Sequence, residues 1–349
     1  MEAAHRTRAF VAAIGLALPE SVLDNDQLAS EYTGWSADKI YAKTGIRTRR
    51  IAAPGECASD LALRAAQDLF AREQIPASSV DFLLYCTQTP DYILPTTACV
   101  LQHRLGLPTS CGALDFNLGC SGYIYGLGMA KALIDSGQAR AVLLLTADTY
   151  SRLINPADKS VRTLFGDGAT ATLVVAGEHE TLVGPFIYGT DGAGAQNLIV
   201  PTGGMRRAVS PEAELVPDDS GNARTINDLY MNGAEIFNFT LRVVPEAVEQ
   251  LLAKAGIKQD AIDLFVFHQA NRFMLDHLRR KLQVPVEKFV VAMEQVGNTV
   301  SSSIPIALRQ AQELGQLKPG ALVMLVGFGV GYSWGATLIR WGTAPSPSQ

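Results

Sequence analysis

Cys120 lies in the run Leu114-Asp-Phe-Asn-Leu-Gly-Cys-Ser-Gly122, where an apolar strand-like stretch passes through small residues into a stretch of helical pattern. A thiol at a helix start meets the positive end of the helix dipole and free backbone N–H groups, and both favour the attacking thiolate. Gly119 and Gly122 permit a tight turn and close approach of a substrate. The bland alternative is a packing cysteine, which is how Cys57, Cys86, Cys99 and Cys111 read, since none has such a setting.

Two further groups could act with a thiol. His268-Gln-Ala-Asn271 begins where the apolar run 264–267 ends, and Gln295-Val-Gly-Asn-Thr-Val-Ser-Ser-Ser303 again leads from a strand pattern into a helix pattern. Each has a structural alternative, a hydrogen-bonded strand-end histidine and a turn-forming asparagine. Taken together, Cys120, His268 and Asn298 suit one reaction. The thiolate accepts an acyl group from a thioester, and neutral His and Asn hold the carbonyl oxygen of a second thioester while it loses carbon dioxide. Asn cannot become a general base, so the set favours decarboxylation over proton abstraction. Papain-like proteases also use Cys, His and Asn, but in a Cys-Gly-Ser-Cys-Trp context near the mature N-terminus that this chain lacks.

The elements that must bring these residues together follow an α/β pattern. Strand candidates fall at 9–14, 82–86, 112–116, 141–146, 169–175, 264–267, 289–292, 322–326 and 336–340, alternating with helix candidates at 58–74, 97–105, 120–136, 234–255, 273–282 and 303–313. An internal repeat is visible: 60–88 and 241–269 share a helix, a break and a strand headed by Asp81 or Asp263, and 138–145 matches 318–325. The chain therefore reads as two duplicated halves, 1–178 with the nucleophile and 179–349 with His and Asn, facing a crevice at their strand ends. Residues 189–228, polar and rich in Gly and Pro, read as a surface insertion.

Composition excludes several classes. Among 349 residues, 29 Lys and Arg oppose 34 Asp and Glu, so no charge excess points to nucleic acid or an anionic membrane. No run of eighteen apolar residues predicts a membrane span, and the apolar run near the start reads as a buried strand rather than a signal peptide. Five cysteines without a Cys-x-x-Cys pair or a zinc-like spacing predict a reduced, cytoplasmic chain without a metal. The tail 344–349 reads as loose.

Cys120, His268-Gln-Ala-Asn271, Gly297-Asn298-Thr299 and Gly327-Phe-Gly-Val-Gly-Tyr-Ser-Trp-Gly335 in this order resemble the ketoacyl-ACP synthase III family, as do Thr44-Gly-Ile-Arg47 and Phe165-Gly-Asp-Gly-Ala169. The resemblance covers nearly the whole chain. It implies a thiolase-like, five-layered α-β-α-β-α sandwich, a homodimer, no cofactor, acylation of Cys120 and condensation with malonyl-acyl carrier protein. It also implies decarboxylation at His268 and Asn298, an oxyanion hole from the N–H of Cys120 and of the glycine loop, and Phe328 beside the reacting thioester.

Departures from the family pattern shape further expectations. Val330 stands between Gly329 and Gly331 where the family has a third glycine, which works only if that residue is not held at positive φ. Lys39 and Lys43 replace the Trp and Arg that clamp coenzyme A, Lys159 replaces an Arg, and Phe273 replaces a basic residue. Arg-to-Lys changes lose bidentate phosphate recognition, so the resemblance favours an acyl donor on carrier protein over acyl-CoA. Asn271 belongs to the same carrier or coenzyme A surface. Arg279 and Arg280 read either as a carrier-protein contact or as a solvated helix face. The Pro-rich turn 90–95 would reach the partner's acyl pocket with Leu94 where Phe is usual, and it carries no Glu of the kind used by hydroxymethylglutaryl-CoA synthases and head-to-head olefin-pathway enzymes. Acyl transfer to an alcohol or amine, and a non-catalytic partner subunit, are the competing functions.

Overall fold

The computed structural model describes residues 8–177 and 183–342. The tail expected over 344–349 and the expected junction at 178/179 lie outside these residues.

Two sheets carry the architecture. The first orders its strands Arg8–Ala17, Gly168–Gly177, Ala141–Asp148, Phe82–Cys86 and Gly112–Phe116. The second orders Leu264–Phe267, Leu322–Gly329, Ser333–Arg340 and Val183–Thr190. Phe82–Cys86 runs parallel to both neighbours, and Leu264–Phe267 runs parallel to Leu322–Gly329.

The unbroken apolar runs of the central strands follow from burial of both sheet faces. In Ala141–Asp148, Leu143 and Leu145 pack with Leu61 and Ala65 of the helix Ala58–Glu73, whereas Val142 and Leu144 turn to Ile124 and Leu127 of the helix Gly122–Asp135. In Leu322–Gly329, Val323 and Leu325 face that same middle layer, which also contains the helix Ser303–Glu313, while Met324 and Val326 face Val244 and Val248 of the helix Gly233–Ala255. The layers are therefore helix, sheet, helix, sheet, helix. The middle helices lie between the two sheets, so the loops at their N-termini come from both halves and meet.

The two repeated aspartates do the same work in each sheet. Asp81 Oδ2 accepts the N–H of Arg140 and Ala141 at 2.7 and 3.0 Å, and Asp263 Oδ2 accepts the N–H of Leu322 at 2.8 Å. Each carboxylate caps the start of the neighbouring parallel strand, where backbone donors would otherwise lack partners.

Three sequence expectations need correction. Residues 289–292 form no strand: only Phe289 bridges to Phe265, because the Gln269 side chain takes the backbone groups that a ladder would use, donating to Val290 O at 3.3 Å and accepting from Ala292 N at 2.7 Å. The strand Val183–Thr190 was not expected; its Pro185 is tolerated because the strand lies at the sheet edge. The helix after the thiol begins at Gly122, not at Cys120, so Cys120 occupies the turn before it.

Candidate active site

The turn that carries Cys120 is held by close packing that only glycine allows. Gly122 N donates to Gly119 O at 2.8 Å, and a Cβ on Gly122 would stand 2.3 Å from Cys86 Sγ. Ser121 is tied across the halves to Ser333, Oγ to Oγ at 2.6 Å. Next to Ser333, the loop after Leu322–Gly329 returns over the thiol: a Cβ on Gly329 would lie 2.9 Å from both Cβ and Sγ of Cys120. The backbone N–H groups of Cys120 itself and of Val330 are directed at the sulfur. Val330 has ordinary negative φ; the non-glycine residues at positive φ among the described ones are Gln74, Gln283 and Val300. The side chain at this loop position therefore does not prevent its N–H from reaching the site.

The expected thiolate is not the resting state. Burial, and next the charge of Asp148, push the Cys120 thiol up to about 12 despite the two N–H donors. With the sulfur fully enclosed, desolvation outweighs the backbone field.

His268 follows the last residue of Leu264–Phe267, its backbone N–H bonded to Val326 O at 2.8 Å. Its Nδ1 lies 2.7 Å from Ser303 Oγ, and that oxygen also accepts Gln269 N–H at 3.3 Å. In the tautomer in which Ser303 donates its hydroxyl proton to Nδ1, the imidazole proton lies on Nε2. Burial lowers the imidazole to about 3, so the ring is neutral. Phe328 packs edge-on against it at 5.5 Å.

Asn298 is held by its backbone and aimed by its side chain. Its N–H donates to Leu164 O at 2.8 Å and its carbonyl accepts Gly166 N–H at 3.0 Å. Its Oδ1 accepts Val300 N–H at 3.0 Å, which turns the amide NH₂ outward as a donor. Val300 adopts φ 52° to make that contact, a conformation costly for a β-branched residue and held here by complete burial.

Cys120, His268, Asn298 and Phe328 line one cavity of about 70 Å³ together with Phe165, Met231, Ile236, Ala270, Asn271 and Gly329. The side chains of His268 and Asn298 thus share one space with a thiol and two N–H groups. Asn271 reaches the cavity while its Oδ1 caps the helix Arg272–Lys281 through Met274 N at 2.8 Å.

The remaining expected residues do not line it. Lys39 and Lys43 stand over the ring of Trp35 at 5.0 and 5.6 Å, an aromatic one helical turn before Lys39 that the sequence comparison overlooked. Lys159 donates to Gly221 O at 2.7 Å. Arg279 turns inward to Val284 O at 3.0 Å, whereas Arg280 is exposed. Leu94 is 79% exposed on its turn. Ser303 and Asp148 also escaped sequence reading: the serine was visible only as one of a Ser run, and Asp148 as a strand end. Among the described residues no cluster of His, Cys, Asp or Glu could hold a metal, and no helix is long and apolar enough to cross a membrane.

Two family models match the chain: 3-oxoacyl-[acyl-carrier-protein (ACP)] synthase III over residues 114–192 and its C-terminal counterpart over 252–341. A β-ketoacyl-[acyl-carrier-protein] synthase III of Symbiobacterium thermophilum is 38% identical over 95% of this chain and 98% of its own. The chain belongs to the synthase III family. A crystal structure of a 3-oxoacyl-(acyl-carrier-protein) synthase III, 58% identical, matches with a TM-score of 0.94 over 96% of this chain and 100% of that one. A 3-oxoacyl-(acyl-carrier protein) synthase of Burkholderia xenovorans LB400, 38% identical, matches at 0.89 over 97% and 95%. The five layers are those of the thiolase-like synthase III fold, and the chain is a synthase III acyltransferase whose reaction is condensation to a 3-oxoacyl thioester.

Proposed function

We propose that Cys120 carries the acyl primer and that His268 and Asn298 decarboxylate a malonyl group delivered on acyl carrier protein. In loading, Cys120 Sγ attacks the donor thioester, the donor's thiolate leaves, and the thiol proton passes to it. In the second half, the malonyl carboxylate departs as carbon dioxide and its bonding pair becomes an enolate. The Nε2–H of His268 and the NH₂ of Asn298 stabilise the enolate oxygen. The enolate carbon attacks the acyl carbonyl, whose oxyanion is received by the N–H groups of Cys120 and Val330. Collapse releases the 3-oxoacyl thioester on its carrier, and the expelled Cys120 thiolate takes up a proton.

The observation that carries this reading is the pair of second hydrogen bonds, Ser303 to Nδ1 of His268 and Val300 N–H to Oδ1 of Asn298. With Ser303 donating to Nδ1, both leave a donor, not an acceptor, facing the cavity shared with the thiol. A neutral imidazole with the lowered pKa suits an oxygen that becomes negative only during reaction. No cofactor enters any step.

The carrier side of the site is formed by Asn271 at the cavity and by Lys39, Lys43, Lys159 and Arg280 around its approach. Arg279 contributes to the helix end rather than to docking. Lysines with Trp35 give point charges and one ring face, which suits a phosphopantetheine on acyl carrier protein better than a clamped adenine. The exposed turn with Tyr92, Ile93 and Leu94, 59%, 82% and 79% open, supports a homodimer in which Leu94 enters the partner's acyl pocket. The two halves, 1–178 and 179–349, act as one duplicated cytoplasmic enzyme.

The test is intact-protein mass of the enzyme and of Cys120→Ala after exposure to acyl donors and then to malonyl-carrier protein. An acyl adduct on the unaltered enzyme alone, discharged with carbon dioxide, is the expected result; no adduct with any donor would sink the reading.

A further inference from the structure

The direction of the Asn298 amide hangs on a residue in a costly conformation. Val300 donates its N–H to Asn298 Oδ1 from φ 52°, a backbone state that a β-branched residue leaves unless its surroundings hold it there. The backbone of Asn298 is fixed separately, through Leu164 O and Gly166 N–H, so Val300 is what remains to set the side chain. The next residue supplies the restraint. Ser301 Oγ donates to Asp148 Oδ2 at 2.5 Å, and Ser301 N–H points to the same oxygen at 3.4 Å. The other carboxyl oxygen, Oδ1, accepts Gln88 N–H at 2.8 Å, so Asp148 is held at both ends and gives the serine a fixed anchor. Asp148 closes the strand Ala141–Asp148 of the first sheet, and Asp148 and Ser301 are 0% and 1% exposed. With no water at hand to replace a lost partner, this contact resists opening.

We propose that Asp148 and Ser301 form a positioning pair for decarboxylation: they keep Val300 at positive φ, and Val300 keeps the Asn298 NH₂ facing the cavity. The proposal rests on Asn298 acting in carbon dioxide release. It makes a strand end of the first half responsible for the aim of a side chain in the second half. Ser302 provides the contrast. It is equally buried, and its Oγ stands 2.9 Å from Thr146 O and 3.2 Å from Gly168 O, but it lies one residue farther from Val300, where the helix Ser303–Glu313 starts.

The experiment measures two half-reactions in the unaltered enzyme, Ser301→Ala, Ser302→Ala, Asp148→Asn and the double variant Ser301→Ala/Asp148→Asn: acylation of Cys120 by intact mass, and carbon dioxide release from malonyl-carrier protein by the acylated enzyme. Ser301→Ala should lower the ratio of decarboxylation to acylation by about tenfold, the worth of one ordinary hydrogen bond, through kcat and not through KM for malonyl-carrier protein. Ser302→Ala loses a comparable buried hydroxyl and should leave the ratio unchanged. Asp148→Asn removes the anchor by another route and decides the matter if Ser301→Ala does not fold; the double variant should lose no more than either single one, because both cut the same contact. An unchanged ratio in Ser301→Ala, or the same fall in Ser302→Ala, overturns the positioning pair. Asn298→Asp, run alongside, separates the two readings: if it releases carbon dioxide normally, the role of Asn298 falls and the pair with it, whereas a loss in Asn298→Asp without one in Ser301→Ala removes the pair alone.

Discussion

Ser303 Oγ lies 2.7 Å from Nδ1 of His268 while accepting the N–H of Gln269 at 3.3 Å, so one hydroxyl holds the imidazole across 35 residues of chain, and we propose that it does so by donating to Nδ1. Ser303→Ala removes that donor and lets the proton sit on either nitrogen. Decarboxylation of malonyl-carrier protein is expected to fall by about tenfold, the worth of one ordinary hydrogen bond. Acylation of Cys120 should be spared. Equal losses in both half-reactions would show that the serine supports the fold and not the imidazole.

Asn298→Asp keeps the size of the side chain but replaces the amide donor with a carboxylate facing the developing enolate. Carbon dioxide release should drop by roughly 10²–10³-fold, as for loss of an oxyanion donor. Intact mass should still record an acyl adduct on Cys120. A variant that decarboxylates at near-normal rate would remove Asn298 from the mechanism.

Gly329→Ala puts a methyl group 2.9 Å from both Cβ and Sγ of Cys120, inside van der Waals contact, so the thiol or the loop must shift from the observed geometry. Acylation should fall by at least about 100-fold, since a small misplacement of reacting atoms costs that much. Circular dichroism should remain that of the folded protein. Undiminished acylation would mean that the loop stands farther from the thiol than described.

Two buried groups impose opposite pH dependences. His268 titrates near 3 in the folded protein against 6.5 free, so between those values the unfolded chain binds the extra proton and stability is lost as pH falls. Asp148, pushed up to about 7 by burial against 3.8 free, binds its proton more tightly in the folded state, so its contribution is lost as pH rises through that window. Asp148→Asn removes the second effect: its melting temperature relative to the unaltered protein should improve steadily from pH 5 to pH 8. A relative melting temperature that declines over the same range contradicts the buried, reluctantly ionised carboxyl.

The same variant reports on the nucleophile. Asp148 is the first charge, after burial itself, that raises the Cys120 thiol. Alkylation by iodoacetamide should therefore be slow at pH 7–8 in the unaltered enzyme, and in Asp148→Asn its pH profile should move to lower pH. A profile that stays in place would show that burial alone sets the thiol.

The sequence by itself determined the α/β class and marked a repeat and three candidate side chains, because each leaves a local mark. Strands buried on both faces must be apolar runs, the repeated Asp81 and Asp263 must cap their neighbours, and Cys120, His268 and Asn298 each stand where a strand pattern gives way to a turn. Tertiary structure alone decided how those side chains behave. That Cys120 rests as a thiol depends on enclosure by Gly329 and Val330, some 210 residues away, and on Asp148. That the His268 ring is held through Nδ1 depends on Ser303, and that the Asn298 amide is held through Oδ1 depends on the fold of Val300. Strand and helix periods record which face of an element is buried, but protonation, tautomer and cavity shape arise from contacts between elements distant in the chain, and no local pattern encodes them.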